Sequence, residues 1–188
     1  MTRIFLRPIE EQDYPGIQRG CQHAETLYMT GTRKTFTLEE IRSAYTRFLQ
    51  DDSRRDFAIC LLDTKEMIGD AAIVDIDPIN HTASFRIALH GPEHFQKGYG
   101  TEAVRMVQAF AFDTLELNRL ELEVFSHNPR AFRSYEKAGF QYEGKRRQAL
   151  YFNGTYSDVI IMGILREEYN HMNSGDAPAQ EGSSSLKN

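Results

Sequence analysis

A strand that runs into a glycine-bearing loop and turns at once into a helix governs how this chain can fold. Ala83 to Leu89, Ala-Ser-Phe-Arg-Ile-Ala-Leu, have high β propensity and lead directly into Gly91-Pro92. The segment that follows, His94-Phe95-Gln96-Lys97-Gly98-Tyr99-Gly100-Thr101-Glu102, opens a long helix. That helix is predicted from about Thr101 to Thr114, with Val104, Val107, Phe110 and Ala111 on one face. Glycines without a Cβ let backbone N–H groups come close to a ligand, and N–H groups at a helix start favour phosphate. Lys97 adds a positive point charge. The third glycine of a dinucleotide fingerprint and the Gly-Lys-Ser/Thr of a Walker loop are both missing, so the loop matches neither motif.

The rest of the chain supplies strands and helices around this junction. Residues 3–8 predict a strand, and Glu10 to Arg19 a helix that tolerates Pro15 near its first turn. Thr37 and Glu40 form a capping box, and Ile41, Tyr45, Phe48 and Leu49 repeat behind it at helical spacing. Phe57 to Leu62 is a continuous apolar strand, joined by Asp63-Thr64-Lys65-Glu66 to a second strand from Met67 to Ile76. Leu120 to Phe125 alternates as a strand, Ala131 to Ala138 is a helix closed by Gly139, and strands near Gln141–Lys145 and Tyr156–Leu165 flank an Asn153-Gly154 turn. Periodicity alone therefore supports an α/β fold with a ligand at a strand-to-helix loop. From residue 174 the sequence is too polar to offset ordering entropy, so one domain over 1–173 and a disordered tail over 174–188 are expected.

Composition removes several classes of function. Twenty-two Lys and Arg against 27 Asp and Glu leave a net charge of −5, which gives the whole surface no electrostatic grip on nucleic acid. No apolar run approaches the ~20 residues that span a bilayer, and the start lacks a signal peptide. Cys21 and Cys60 have no CxxC spacing, and His81, His90, His94 and His127 lie on separate segments without ligand spacing. No disulfide framework and no metal are expected, and a cytoplasmic location fits.

A second segment sharpens the assignment: Phe125-Ser126-His127-Asn128-Pro129-Arg130-Ala131-Phe132-Arg133-Ser134-Tyr135-Glu136-Lys137-Ala138-Gly139-Phe140. The run Asn-x-x-Ala-x-x-x-Tyr-Glu-Lys-x-Gly-Phe, behind a Gly-x-Gly loop and a helix, resembles the two acetyl-CoA motifs of GNAT N-acetyltransferases. Glu143-Gly144 and Tyr151 to Asp158, with Met162 and Leu165, resemble the branch of ribosomal-protein N-terminal and spermidine N-acetyltransferases. The resemblance spans roughly Arg3 to Asn170. It implies a mixed, mainly antiparallel sheet of six or seven strands with helices on both faces. It also implies acetyl-CoA as co-substrate, with Gln96, Lys97, Gly98, Tyr99, Gly100 and Thr101 on the pyrophosphate. Ile87, Ala88 and Leu89 would pair with the pantetheine arm, Asn128 would contact the cofactor, and Tyr135 would protonate the leaving thiolate. Phe95 departs from the motif, which usually has Gln or Arg there.

The chemistry requires such groups. An alkyl amine, of pKa about 10, must lose a proton before attacking a thioester, and the departing thiolate, of pKa roughly 8–9, is stabilised by a nearby phenol of pKa about 10. Glu121 and Glu123 alternate on one strand face, where two close carboxylates would raise one pKa. Glu123 is the leading base, while Glu143, Asp75 and a water chain stay open. Lys145-Arg146-Arg147 is a basic run beside the site, commoner as a solvated strand end than as a phosphate grip. The stretch Tyr28 to Thr35 is basic where several polyamine enzymes are acidic. That favours a protein N-terminus or another small amine as acceptor, with spermidine, or a CoA-binding module without catalysis, as alternatives. The apolar run Val159 to Ile164, taken as an edge strand that a partner could cover, points to a homodimer.

Overall fold

The computed structural model describes residues 2–174. Its seven strands are β1 (Ile4–Pro8), β2 (Arg55–Leu61), β3 (Met67–Asp77), β4 (Thr82–Leu89), β5 (Arg119–Phe125), β6 (Gln141–Phe152) and β7 (Thr155–Leu165). They form one sheet in the order β1-β2-β3-β4-β5-β7-β6. Every pairing is antiparallel except that of β4 with β5. A parallel pair needs a crossover, and here it is α4 (Tyr99–Ala109), which continues as a π-helical turn over Phe110–Thr114.

Helices cover both faces, as the period-2 alternation of the strands demands. Along β2, Phe57 and Ile59 face the larger core, while Ala58 and Cys60 face the smaller one. The larger core is closed by α4 and by α5 (Pro129–Lys137), through Val104, Val107, Ala111, Tyr135 and Ala138. The smaller core lies under α1 (Tyr14–Gly20) and α3 (Leu38–Phe48), around Tyr14, Ile17 and Ile41. Both arms of the expected capping box form: Thr37 Oγ1 accepts from Glu40 N–H at 3.1 Å, and Glu40 Oε2 accepts from Thr37 N–H at 2.8 Å. Among the described residues no helix is long and apolar enough to cross a membrane.

Three local expectations change. Val159 to Ile164 does not lie on an edge: β7 is held between β5 and β6, and Val159, Met162 and Ile164 are buried. The cause is the length of β6, which runs on past Lys145 to Phe152 before an Asn153-Gly154 turn with both φ angles positive, 49° and 79°. Two helices, α2 (Ala24–Thr30) and α6 (Arg166–Ser174), form where none was expected. The long helix starts two residues early, at Tyr99. The expected tail lies, from residue 175 on, outside the described residues.

Candidate active site

The parallel pair at the centre of the sheet is short. β4 and β5 are in register only at Thr82 with Arg119, Ala83 with Leu120 and Ser84 with Glu121. Beyond these the strands part. From Phe85 to Leu89 the side of β4 turned towards β5 has no strand partner, while β3 still pairs with its other side up to Leu89. Unpaired strand edge is a template for an extended polar chain, and Ile87, Ala88 and Leu89 lie on it.

The glycine loop sits at the end of that edge. Gly98 precedes α4 with φ 84°, a left-handed value that suits glycine, and Gln96 shares the region at φ 58°. Gly98 has no side chain to cap α4, so the first-turn N–H groups, those of Tyr99, Gly100 and Thr101, have no acceptor within the helix. Gly100 lies over Leu89, whose Cδ1 would be 3.9 Å from a Cβ built there. The Lys97 ammonium makes no ion pair among the described residues. This set of donors fits a pyrophosphate.

An arginine from the far end of the chain braces the loop from behind. Arg3 Nη1 donates to the Lys97 carbonyl at 2.8 Å, its Nη2 and Nε reach Glu102 Oε2 at 3.1 and 3.2 Å, and its guanidinium carbon lies 4.9 Å from the centre of the Tyr99 ring. Burial works to raise the Glu102 carboxyl, but hydrogen bonds from the Arg3 and Ile4 N–H groups and the Arg3 guanidinium outweigh it and hold the carboxyl below its usual range. A charge of the wrong sign for phosphate, at the start of α4, is thereby paired.

Tyr135 comes to the same cleft from α5. It is 8% exposed, and its ring packs edge-on against Phe85 of β4 at 6.4 Å and against Phe140 at 6.0 Å. Its hydroxyl has no hydrogen-bond partner among the described residues. Burial raises its pKa above the usual phenol value, so it stays protonated at neutral pH. Asn128, on the loop between β5 and α5, is engaged at both ends of its amide. Its Oδ1 accepts from Ala131 N–H at 3.1 Å and caps α5, while its Nδ2 donates to the Met29 carbonyl of α2 at 3.3 Å.

Glu121 and Glu123 share one face of β5, as their spacing requires, but each meets an arginine: Glu121 with Arg119 at 2.8 Å and Glu123 with Arg146 at 2.5 Å. Cations therefore stand where mutual repulsion was expected to act. Arg119 also takes Glu143 at 2.6 Å and holds that carboxyl below its usual range, which makes it a poor proton acceptor. Asp75 projects from an irregular stretch of β3 beside the paired end of β4, away from the end where the strands part. Glu123 lies just past the last β4–β5 pair.

Sequence reasoning passed over His127. Its Nε2 is 2.8 Å from the Tyr28 carbonyl, which can only accept, so Nε2 carries the proton; Nδ1 then accepts from the Ser157 hydroxyl at 2.8 Å. The ring is stacked between Tyr28, at 4.2 Å, and Phe125, at 5.5 Å. It ties α2 to the ends of β5 and β7. The only hint in the sequence was its place beside Asn128.

One splayed parallel pair beside a glycine loop that opens a helix, with a buried phenol against the gap, suits a transferase that takes an acyl group from coenzyme A. Residues 3–141 match the family model described as acetyltransferase (GNAT) domain, and the chain belongs to that family. It is similar to spermidine N(1)-acetyltransferase of Vibrio cholerae, with 31% identity over 89% of this chain and 96% of the relative. The same enzyme of Escherichia coli is 28% identical over 88% of both chains. Among solved structures, spermidine N-acetyltransferase from Vibrio cholerae in complex with CoA and spermine superposes with a TM-score of 0.84 at 27% identity, over 89% of this chain and 98% of that one. A dodecameric structure of the Vibrio cholerae enzyme superposes at 0.79 with 28% identity, over 93% of this chain and 99% of that one. This chain is an N-acetyltransferase that uses acetyl-CoA as co-substrate. The alternative of a module without catalysis is set aside.

Proposed function

We propose that the chain acetylates an acceptor with a single primary amine, a protein N-terminus or another small monoamine, in the gap between β4 and β5. The observation that carries the acceptor class is the pairing of the carboxylates on α2, β5, β6 and β7. Glu25, Glu121, Glu123, Glu143 and Asp158 each hold an arginine or lysine within 3.2 Å. A polycation would have to displace those partners. The loop after α2 adds a further cation, for Arg33 Nη2 donates to the Tyr151 carbonyl at 2.6 Å. Spermidine is the second reading, favoured by the similarity to spermidine enzymes.

In this mechanism the loop Gln96–Thr101 holds the pyrophosphate of acetyl-CoA through its first-turn amides and Lys97. The free edge of β4 at Ile87, Ala88 and Leu89 pairs with the pantetheine arm, and Asn128 shapes the wall opposite. The amine nitrogen bonds to the thioester carbonyl carbon and gives up a proton to Glu123, directly or through water. The carbon–sulfur bond then breaks, and Tyr135 passes its phenolic proton to the sulfur. Arg146 Nη2, 2.5 Å from Glu123 Oε1, fixes where that carboxylate stands. We also infer a homo-oligomer, at least a dimer, which the dodecamer of the Vibrio cholerae relative supports; light scattering that returns the 21.6 kDa of one chain at micromolar concentration would exclude it.

The acceptor is tested by thiol release from acetyl-CoA with spermidine, peptides bearing free N-termini, aminoglycosides and free amino acids. The expected result is a kcat/KM on a monoamine or peptide at least tenfold above that on spermidine, on the order of one lost charge pair. A preference for spermidine would overturn the acceptor class and leave the transfer chemistry standing.

A further inference from the structure

Phe95 stands at the head of the glycine loop, and there the structure brings a cation from elsewhere in the chain. The guanidinium carbon of Arg130, in the first turn of α5, lies 4.2 Å from the centre of the Phe95 ring. The same guanidinium reaches Glu25 of α2, Nη2 to Oε1, at 3.2 Å. Three elements are thus joined: the loop that follows β4, the helix that follows β5, and α2. We propose that Phe95, Arg130 and Glu25 form a clasp over the cofactor entrance, in which Arg130 leaves Glu25 for the pyrophosphate of acetyl-CoA. This rests on the assignment of the pyrophosphate to Gln96–Thr101.

The physical case is one of unequal partners for one cation. The Arg130–Glu25 contact is a single long bond between side chains that are 34% and 38% exposed, the kind of surface pair that contributes little. A pyrophosphate offers the guanidinium a two-pronged, charge-assisted contact instead. Phe95 then has a use that Gln or Arg would not serve in this way, because its ring face holds the guanidinium beside the loop whichever anion it meets. Glu25 competes with the cofactor. It holds Arg130 in place when the entrance is empty, and its removal leaves the cation free to meet phosphate without that competition.

The clasp is tested by measuring KM with acetyl-CoA and with S-acetylpantetheine, a thioester that lacks the pyrophosphate. Arg130→Ala should raise KM for acetyl-CoA about tenfold while leaving KM for S-acetylpantetheine within about twofold. Glu25→Gln should do the opposite, lowering KM for acetyl-CoA about threefold, and should have no effect in an Arg130→Ala background. An Arg130→Ala variant that shifts both thioesters alike, or a Glu25→Gln variant that raises KM for acetyl-CoA or leaves it unchanged, overturns the clasp. Lys97→Ala, run alongside, separates the two levels of inference. If it discriminates between the thioesters and Arg130→Ala does not, the clasp alone falls; if neither discriminates, the pyrophosphate assignment falls with it.

Discussion

At the residue scale, charge pairing decides more than sequence position does. Arg7 and Asp13 make the point away from the site: Nη1 and Nη2 reach the two carboxylate oxygens at 2.6 and 2.7 Å, and the Glu10 N–H adds a bond at 2.8 Å. Asp13 is 5% exposed. Burial works to raise its pKa, yet the hydrogen bonds from Arg7 and Glu10 prevail and hold it below the usual value. A depressed folded-state pKa contributes stability that is complete above the unfolded value of about 3.9 and fades as pH falls through the folded one. Asp13→Asn should therefore lower unfolding free energy by about 3 kcal/mol at neutral pH. It should also flatten the acid limb of a urea-midpoint titration; an acid limb as steep as the parent's would show that Asp13 titrates normally. The same principle applies at Glu121 and Glu123, where arginine partners stand in place of the mutual repulsion that spacing suggested. Their alternation was legible, but Arg146, which meets Glu123 from β6, was not, because a partner on another strand depends on strand order and register.

At the element scale, the loop and the start of α4 were legible because their chemistry is local. Glycine, lysine and a helix start sit within a few residues, and the capping box of α3 is equally self-contained. What escaped was held by distant contacts. α2 begins at His23, which makes no side-chain cap bond, and its clearest local mark is Gly31 at φ 67°. Its place depends on His127 and Asn128, which grip the Tyr28 and Met29 carbonyls from about a hundred residues away. The length of β6 escaped for another reason: Gln148, at φ 50°, interrupts the pairing with β7, which resumes at Leu150. At Gly98 a Cβ would force a left-handed conformation on an L side chain and stand 3.0 Å from Arg3 Nη2. Gly98→Ala should cost roughly 1–2 kcal/mol in stability and raise KM for acetyl-CoA severalfold. Thermal unfolding and steady-state kinetics read the two effects separately, and an unchanged KM would remove the loop from the cofactor site.

At the scale of the whole molecule, the alternating elements pointed to an α/β class, and the mixed, mainly antiparallel sheet came from resemblance alone. Nothing local in β4 or β5 announces that they run parallel or that they part after Ser84 and Glu121. That parting is a property of the sheet, and it makes one edge of β4 available while the larger core stays closed beneath it. Tyr135 is placed by the same geometry, since α5 must cross over β5 to bring its ring against Phe85. Function and fold meet at that contact. The most direct measurement is therefore the thiol-release rate of Tyr135→Phe against the parent, with acetyl-CoA affinity followed by calorimetry. Turnover should fall by about 10²-fold or more, the scale of a lost general acid, while affinity holds within about twofold. Turnover equal to the parent's would contradict the account, because the proton reaching the sulfur would then come from elsewhere.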